Sequence, residues 1–96
     1  MDWNEKIRLA TAGDMDAQYE LGSAYFEGEK GLDRNISEAK KWFLMAANQK
    51  CSAAQFNLAL IYKAEKDGIN AKFWLDKADE NGHAIPEAIR NKIEQL

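Results

Sequence analysis

Small and apolar residues recur along this chain at helical spacing, and short polar or glycine-bearing stretches interrupt them. Ala17, Leu21 and Tyr25 stand four residues apart with Gly22 beside Leu21, so they share one face of a helix. Ala39, Trp42 and Ala46 form a second stripe of the same kind. Asp2 with Glu5, Asn35 with Glu38 and Ser52 with Gln55 each have the spacing of a capping box. Asp67 stands where Asn35 does, Gly82 is placed to end a helix, and Pro86 to sit in the first turn of the next. The pattern predicts helices over 3–12, 15–28, 36–49, 53–66, 68–81 and 86–95.

The stripes repeat. The run from Ala17 to Tyr25 aligns with that from Ala54 to Tyr62 at an offset of 37 residues, with four identities, Tyr19 against Phe56, and Gly22 against Ala59. Ala39-Lys40-Lys41-Trp42 with Ala46 aligns with Ala71-Lys72-Phe73-Trp74 with Ala78 at an offset of 32. The difference of five residues falls in a linker, Glu29 to Arg34, that has shrunk to the region of Lys66-Asp67-Gly68 in the second copy. Length changes between helices of fixed spacing are what a stack of helical hairpins produces. One hairpin cannot bury both stripes alone, so the copies must stack and the ends must be covered. Asp2 to Ala12 and Pro86 to Leu96 are the expected covers. The last keeps Ile85, Ala88, Ile89, Ile93 and Leu96 apolar, but places Arg90 and Asn91 where the repeat has Leu-Gly. With a capped start and a polar closing helix, the array is expected to be a finished one.

Composition supports helices. There is no Val, one Thr and one Pro, while good helix formers abound. At 96 residues the chain is expected to form one domain. No apolar run reaches the roughly 20 residues of a membrane span, and no secretory signal is evident at Met1 to Glu5. A net charge of −3 argues against nucleic acid as the ligand, since that binding neutralises phosphates with Lys and Arg. The lone Cys51 has no internal disulfide partner, which fits a reducing compartment. A cytoplasmic protein is expected, monomeric or weakly dimeric.

The residues Ala17, Leu21-Gly22, Tyr25, Gly28, Gly31, Ala39, Trp42 and Ala46-Ala47 resemble the Sel-one-like repeat family, a relative of the tetratricopeptide repeat. The second copy departs from the family pattern at Ala59, Glu65 and Asp79. The resemblance covers Gly13 to Gly82 and implies a right-handed α/α solenoid with an adaptor or scaffold role. Repeat one is expected near 13–50, repeat two near 51–82, and a closing helix near 84–96, about six helices in all. Some members bridge their repeats with paired cysteines, which this chain lacks.

In related arrays the inner face of each first helix lines a concave binding surface. Transferred by register, that face holds Asp16, Tyr19, Ser23, Phe26, Glu27, Phe56, Leu60 and Lys63. Leu21, Tyr25, Leu58 and Tyr62 already supply the core, which leaves Phe26 and Leu60 as candidate anchors. Tyr19 and Phe56 are expected to pack within their hairpins. Trp42 and Trp74 recur in register and belong to the core, whereas Trp3 has no counterpart and is a candidate for a second contact or a dimer interface. Cys51 and His83 occupy equivalent turn positions, and no second His or Cys exists to build a zinc site or a catalytic pair. The stretch from Asp33 to Glu38 lacks the glycine and the closing acid of a calcium loop, and Gly28 and Gly31 lead into no phosphate loop. No enzyme and no cofactor are expected. The functional expectation is a protein-binding module; the alternative is an immunity protein that blocks a bacterial toxin, such as a basic nuclease.

Overall fold

The computed structural model describes residues 3–29 and 31–96. Asp2, expected to cap the first helix with Glu5, lies outside them, as does Lys30 of the long linker. Among the described residues there are six helices: α1 (Trp3–Thr11), α2 (Met15–Glu27), α3 (Ile36–Ala47), α4 (Ser52–Ala64), α5 (Gly68–Glu80) and α6 (Glu87–Glu94). Each lies within about two residues of its predicted span, the usual uncertainty of helix ends.

Caps set these boundaries. Asp14 accepts from Ala17 N at 2.9 Å and Asn35 from Glu38 N at 3.0 Å. Asp67 accepts from Asn70 N at 3.1 Å and from the Asn70 side-chain amide at 2.8 Å. The side-chain bond and then the backbone bond hold the Asp67 carboxyl below the usual aspartate range. That capping contribution is present above the ordinary range and fades as pH falls through the lowered value. The Ser52–Gln55 box does not form. Cys51 occupies the cap position without a side-chain bond, Ser52 is the first helical residue, and Gln55 turns inward. Pro86 likewise stands at the cap of α6, one residue ahead of the first-turn position expected of it.

The helices pack in chain order, with α2 also meeting α4, and bury three apolar layers. The first holds Ala10, Ala17, Leu21 and Trp42, with Trp3, Ile7 and Leu32 against it. The second holds Ala39, Phe43, Ala46, Ala47, Ala54, Leu58 and Ile61. The third holds Ala59, Ala71, Leu75 and Ile93. Tyr25 joins the first two, and Tyr62 and Trp74 join the last two, so the core is one ribbon through an elongated stack of 40 × 24 × 18 Å. Trp74 is only half-buried and meets Phe73 edge-on at 5.0 Å.

The flanking helices cover the end layers. α6 does so with a shifted stripe: Ile85, Ile89 and Ile93 face inward, while Ala88 and Leu96, expected on that face, are exposed. Arg90, in the Leu21 and Leu58 register, reaches Asp76 at 3.3 Å and Asp79 at 3.2 Å on α5 instead. Trp3 packs inward as well. A Cβ on Gly31 would lie 3.1 Å from its ring, so the linker lies directly over Trp3. Gly31, with φ of 90°, answers both that approach and a left-handed backbone.

Two features tie sequence to close packing. Gly22 faces Phe43, where an added Cβ would come within 2.6 Å of the ring. Repeat two has the larger Ala59 at the Gly22 position and the smaller Leu75 at the Phe43 position, and both are buried in one layer. Second, the register-equivalent Gln18 and Gln55 are each only 2% exposed. Gln18 Nε2 donates to Ala10 O and Gln55 Nε2 to Ala47 O, both at 3.0 Å. Gln49 donates to Gln18 Oε1 at 2.8 Å, and its counterpart Asn81 to Gln55 Oε1 at 3.0 Å. Each first helix is therefore clasped to the end of the helix before it and to the end of the helix after it. The closing helix has Glu87 in this register, exposed and outside any such clasp.

Candidate functional site

The packing of α2 against α4 leaves a trench between them. One hollow of about 210 Å³ is walled by Tyr19, Ser23, Phe26, Glu27, Asn57 and Leu60, with Phe43 among its lining residues. A second of about 270 Å³ is walled by Phe26, Leu60, Arg34, Ile36, Ile61, Ala64 and Glu65. A third of about 150 Å³ lies toward α1, between Trp3, Tyr19, Glu20, Ser23 and Glu29. Neighbouring hollows share walls: Tyr19 and Ser23 between the third and first, Phe26 and Leu60 between the first and second.

Five of the eight residues expected on the concave face line this trench. Tyr19 is half-buried, its ring 5.8 Å from that of Phe43 within the hairpin, as expected. Ser23 and Leu60 are half-buried, Glu27 is exposed, and Phe26 is 37% exposed despite its size. Asp16, Phe56 and Lys63 do not line it. Asp16 sits in the exposed first turn of α2. Phe56 packs on the third layer and stacks on His83, with ring centres 4.6 Å apart. Lys63, in the Phe26 register, is half-buried outside the hollows. The register that places Tyr19 in the trench takes Phe56 out of it, because the turn before α6 lies over the Phe56 ring.

Sequence reasoning missed Arg34, Ile36 and Glu65, which close the apolar end. Arg34 Nε donates to Phe26 O at 3.0 Å, and its guanidinium lies 5.9 Å from the Phe26 ring centre. Lys40 engages Glu65 at 2.8 Å. Glu65 is thus paired, while the Arg34 guanidinium is held by the Phe26 carbonyl and ring and keeps its charge at the rim of an otherwise apolar hollow. Glu20 pairs with Lys6 of α1. Among the described residues the hydroxyls of the trench are Ser23 and Tyr19, and the single histidine is stacked on Phe56.

A larger hollow of about 400 Å³ lies elsewhere, between the end of α3 and α5. Its walls are mainly polar, Lys77 lies 5.6 Å over the Phe73 ring, and Gln55 and Asn81 already bond to each other. Size alone therefore does not mark it as the site. No group of three or more His, Cys, Asp or Glu side chains suited to a metal occurs among the described residues. None of the described helices is long and apolar enough to cross a membrane.

The model of the Sel1 repeat matches residues 16–51, which span α2 and α3, and residues 52–83, which span α4 and α5. The chain belongs to the Sel1 repeat family. Sel1 repeats are helical solenoid units and generally act as protein–protein interaction modules, a scaffold rather than an enzyme family. The chain is 32% identical over 72 residues to the sel1-like repeat-containing protein L21 of Acanthamoeba polyphaga mimivirus. The match covers 75% of this chain and 13% of that relative. No solved structure matches the chain.

Proposed function

We propose that the chain holds a segment of a partner protein in the trench between α2 and α4, with Phe26 and Leu60 as its anchors. One observation carries this reading: the three buried layers are complete without Phe26, yet this large aromatic stands 37% exposed as a shared wall of two adjoining hollows. Desolvating such a side chain against a partner is the usual source of hot-spot energy. Phe26→Asp is expected to keep the helical circular dichroism and thermal midpoint while weakening a ligand selected against the native protein by about tenfold or more. Loss of the fold in this variant would assign Phe26 to the core instead.

The working division takes repeat one near 13–50, repeat two near 51–82 and a closing helix near 84–96. A second reading makes the partner a basic toxin surface, such as a nuclease, and the chain its inhibitor. It is favoured by the exposed carboxylates of Glu27 and Glu29 in the walls of the trench and by the net charge of −3. A toxin reading frame beside this one, with inhibition that weakens steeply with salt, supports that reading; its absence leaves the general module.

A further inference from the structure

Resting on the trench as the docking face, we propose that its occupant is a segment pairing a large apolar side chain with an Arg or Lys. The apolar side chain fills the hollow between Phe26 and Leu60, and the basic one fills the hollow between Trp3 and Tyr19. The shared walls make the three hollows one continuous run whose chemistry changes from end to end. At the α4 end, Ile36, Ile61 and Ala64 surround Phe26 and Leu60, and the two charges at the rim are already engaged. At the α1 end, two aromatic rings and two carboxylates, Glu20 and Glu29, enclose a narrower space beside the Ser23 hydroxyl. Carboxylates beside π faces attract a cation and disfavour an anion.

The ammonium of Lys6 already lies against Glu20, so that carboxylate is one charge in a local pair. Glu29 makes no ion pair among the described residues. Its backbone is fixed by bonds from its N–H to Ala24 O at 3.1 Å and from Leu32 N to its carbonyl at 2.8 Å. The linker that carries Glu29 and Arg34 is the one lengthened in repeat one, and it lies over Trp3 at Gly31. Glu29, at the foot of that linker, is its residue in the wall of the α1 end of the trench. With the Glu29 carboxylate at one end and the apolar hollow at the other, the run complements a segment whose charge is positive at one end.

The test uses a displayed library of random linear peptides, selected on the native protein and then sorted for clones that fail to bind Phe26→Asp. Enriched clones are expected to share one large apolar residue and one Arg or Lys at a constant separation. A synthetic peptide of that sequence is expected to lose about fivefold in affinity to Glu29→Gln, with an unchanged thermal midpoint, and a similar factor to raised salt. Phe26-dependent clones without a basic residue, or indifferent to both Glu29→Gln and salt, overturn this inference and leave the docking face standing. A selection that yields no Phe26-dependent clone overturns the docking face itself, and the inference with it.

Discussion

Gly22→Ala is expected to destabilise the protein by about 2 kcal/mol, even though alanine is the better helix former by about 1 kcal/mol. The added Cβ would stand 2.6 to 2.9 Å from three ring carbons of Phe43, a side chain only 1% exposed. That ring is packed against Tyr19 and the second layer, so relieving the contact means moving it out of that packing. A thermal midpoint lowered by roughly 10 °C would report the clash. Repeat two supplies the remedy, for it pairs Ala59 with Leu75 in the same two positions. Phe43→Leu alone is expected to cost about 1–2 kcal/mol through the space it leaves. The double variant Gly22→Ala with Phe43→Leu should be clearly more stable than the sum of the two, with a coupling of about 1–2 kcal/mol. Strict additivity would mean that Phe43 does not set the size limit at Gly22.

Gln55→Glu is expected to cost more, about 3 kcal/mol at neutral pH. The change keeps size and shape, and the oxygen that accepts from Asn81 is retained. What is lost is the donor to Ala47 O at 3.0 Å, replaced by a carboxylate oxygen facing a carbonyl oxygen at a site 2% exposed. Folding therefore favours the protonated carboxyl, whose hydroxyl donates to the same carbonyl, and raises its pKa above the ordinary glutamate value of about 4.3. The sign follows: the penalty is full above the raised folded pKa and vanishes below the unfolded one. Denaturant melts from neutral to acid pH should show the variant converging on the native protein as pH falls. A deficit independent of pH would show that the site tolerates charge and that the loss lies in packing.

The same glutamine shows where sequence reasoning reached its limit. Ser52-x-x-Gln55 has the spacing of a capping box, but its counterpart in repeat one begins with Met15, which has no cap to offer. The recurrence of Gln at 18 and 55 without a recurring cap was the available sign of a buried role. The helices and their stacking were legible because they depend on spacing and on small residues kept in register. The middle of the trench was legible for the same reason, through Tyr19, Ser23, Phe26, Glu27 and Leu60. Its ends were not. Arg34 and Glu29 lie in a linker whose path depends on Gly28, Gly31 and the Trp3 ring, none of which periodicity describes. Phe56 packs against its own hairpin, as expected, but the register that also put it on the concave face did not show the layer beyond it, where His83 covers the ring. Trp3, a candidate for a second contact or a dimer interface, packs on the first layer beneath the linker and lines the hollow toward α1.

The most direct test of the docking face is to map a peptide selected on the native protein by its effect on backbone amide resonances. The expected result is a set of shifts concentrated on Tyr19, Ser23, Phe26, Asn57, Leu60 and Ala64, along facing sides of α2 and α4, with α5 left quiet. Shifts gathered instead around Asn48, Phe73, Trp74 and Lys77, at the larger polar hollow, would contradict the account and move the binding surface to the other side of the stack.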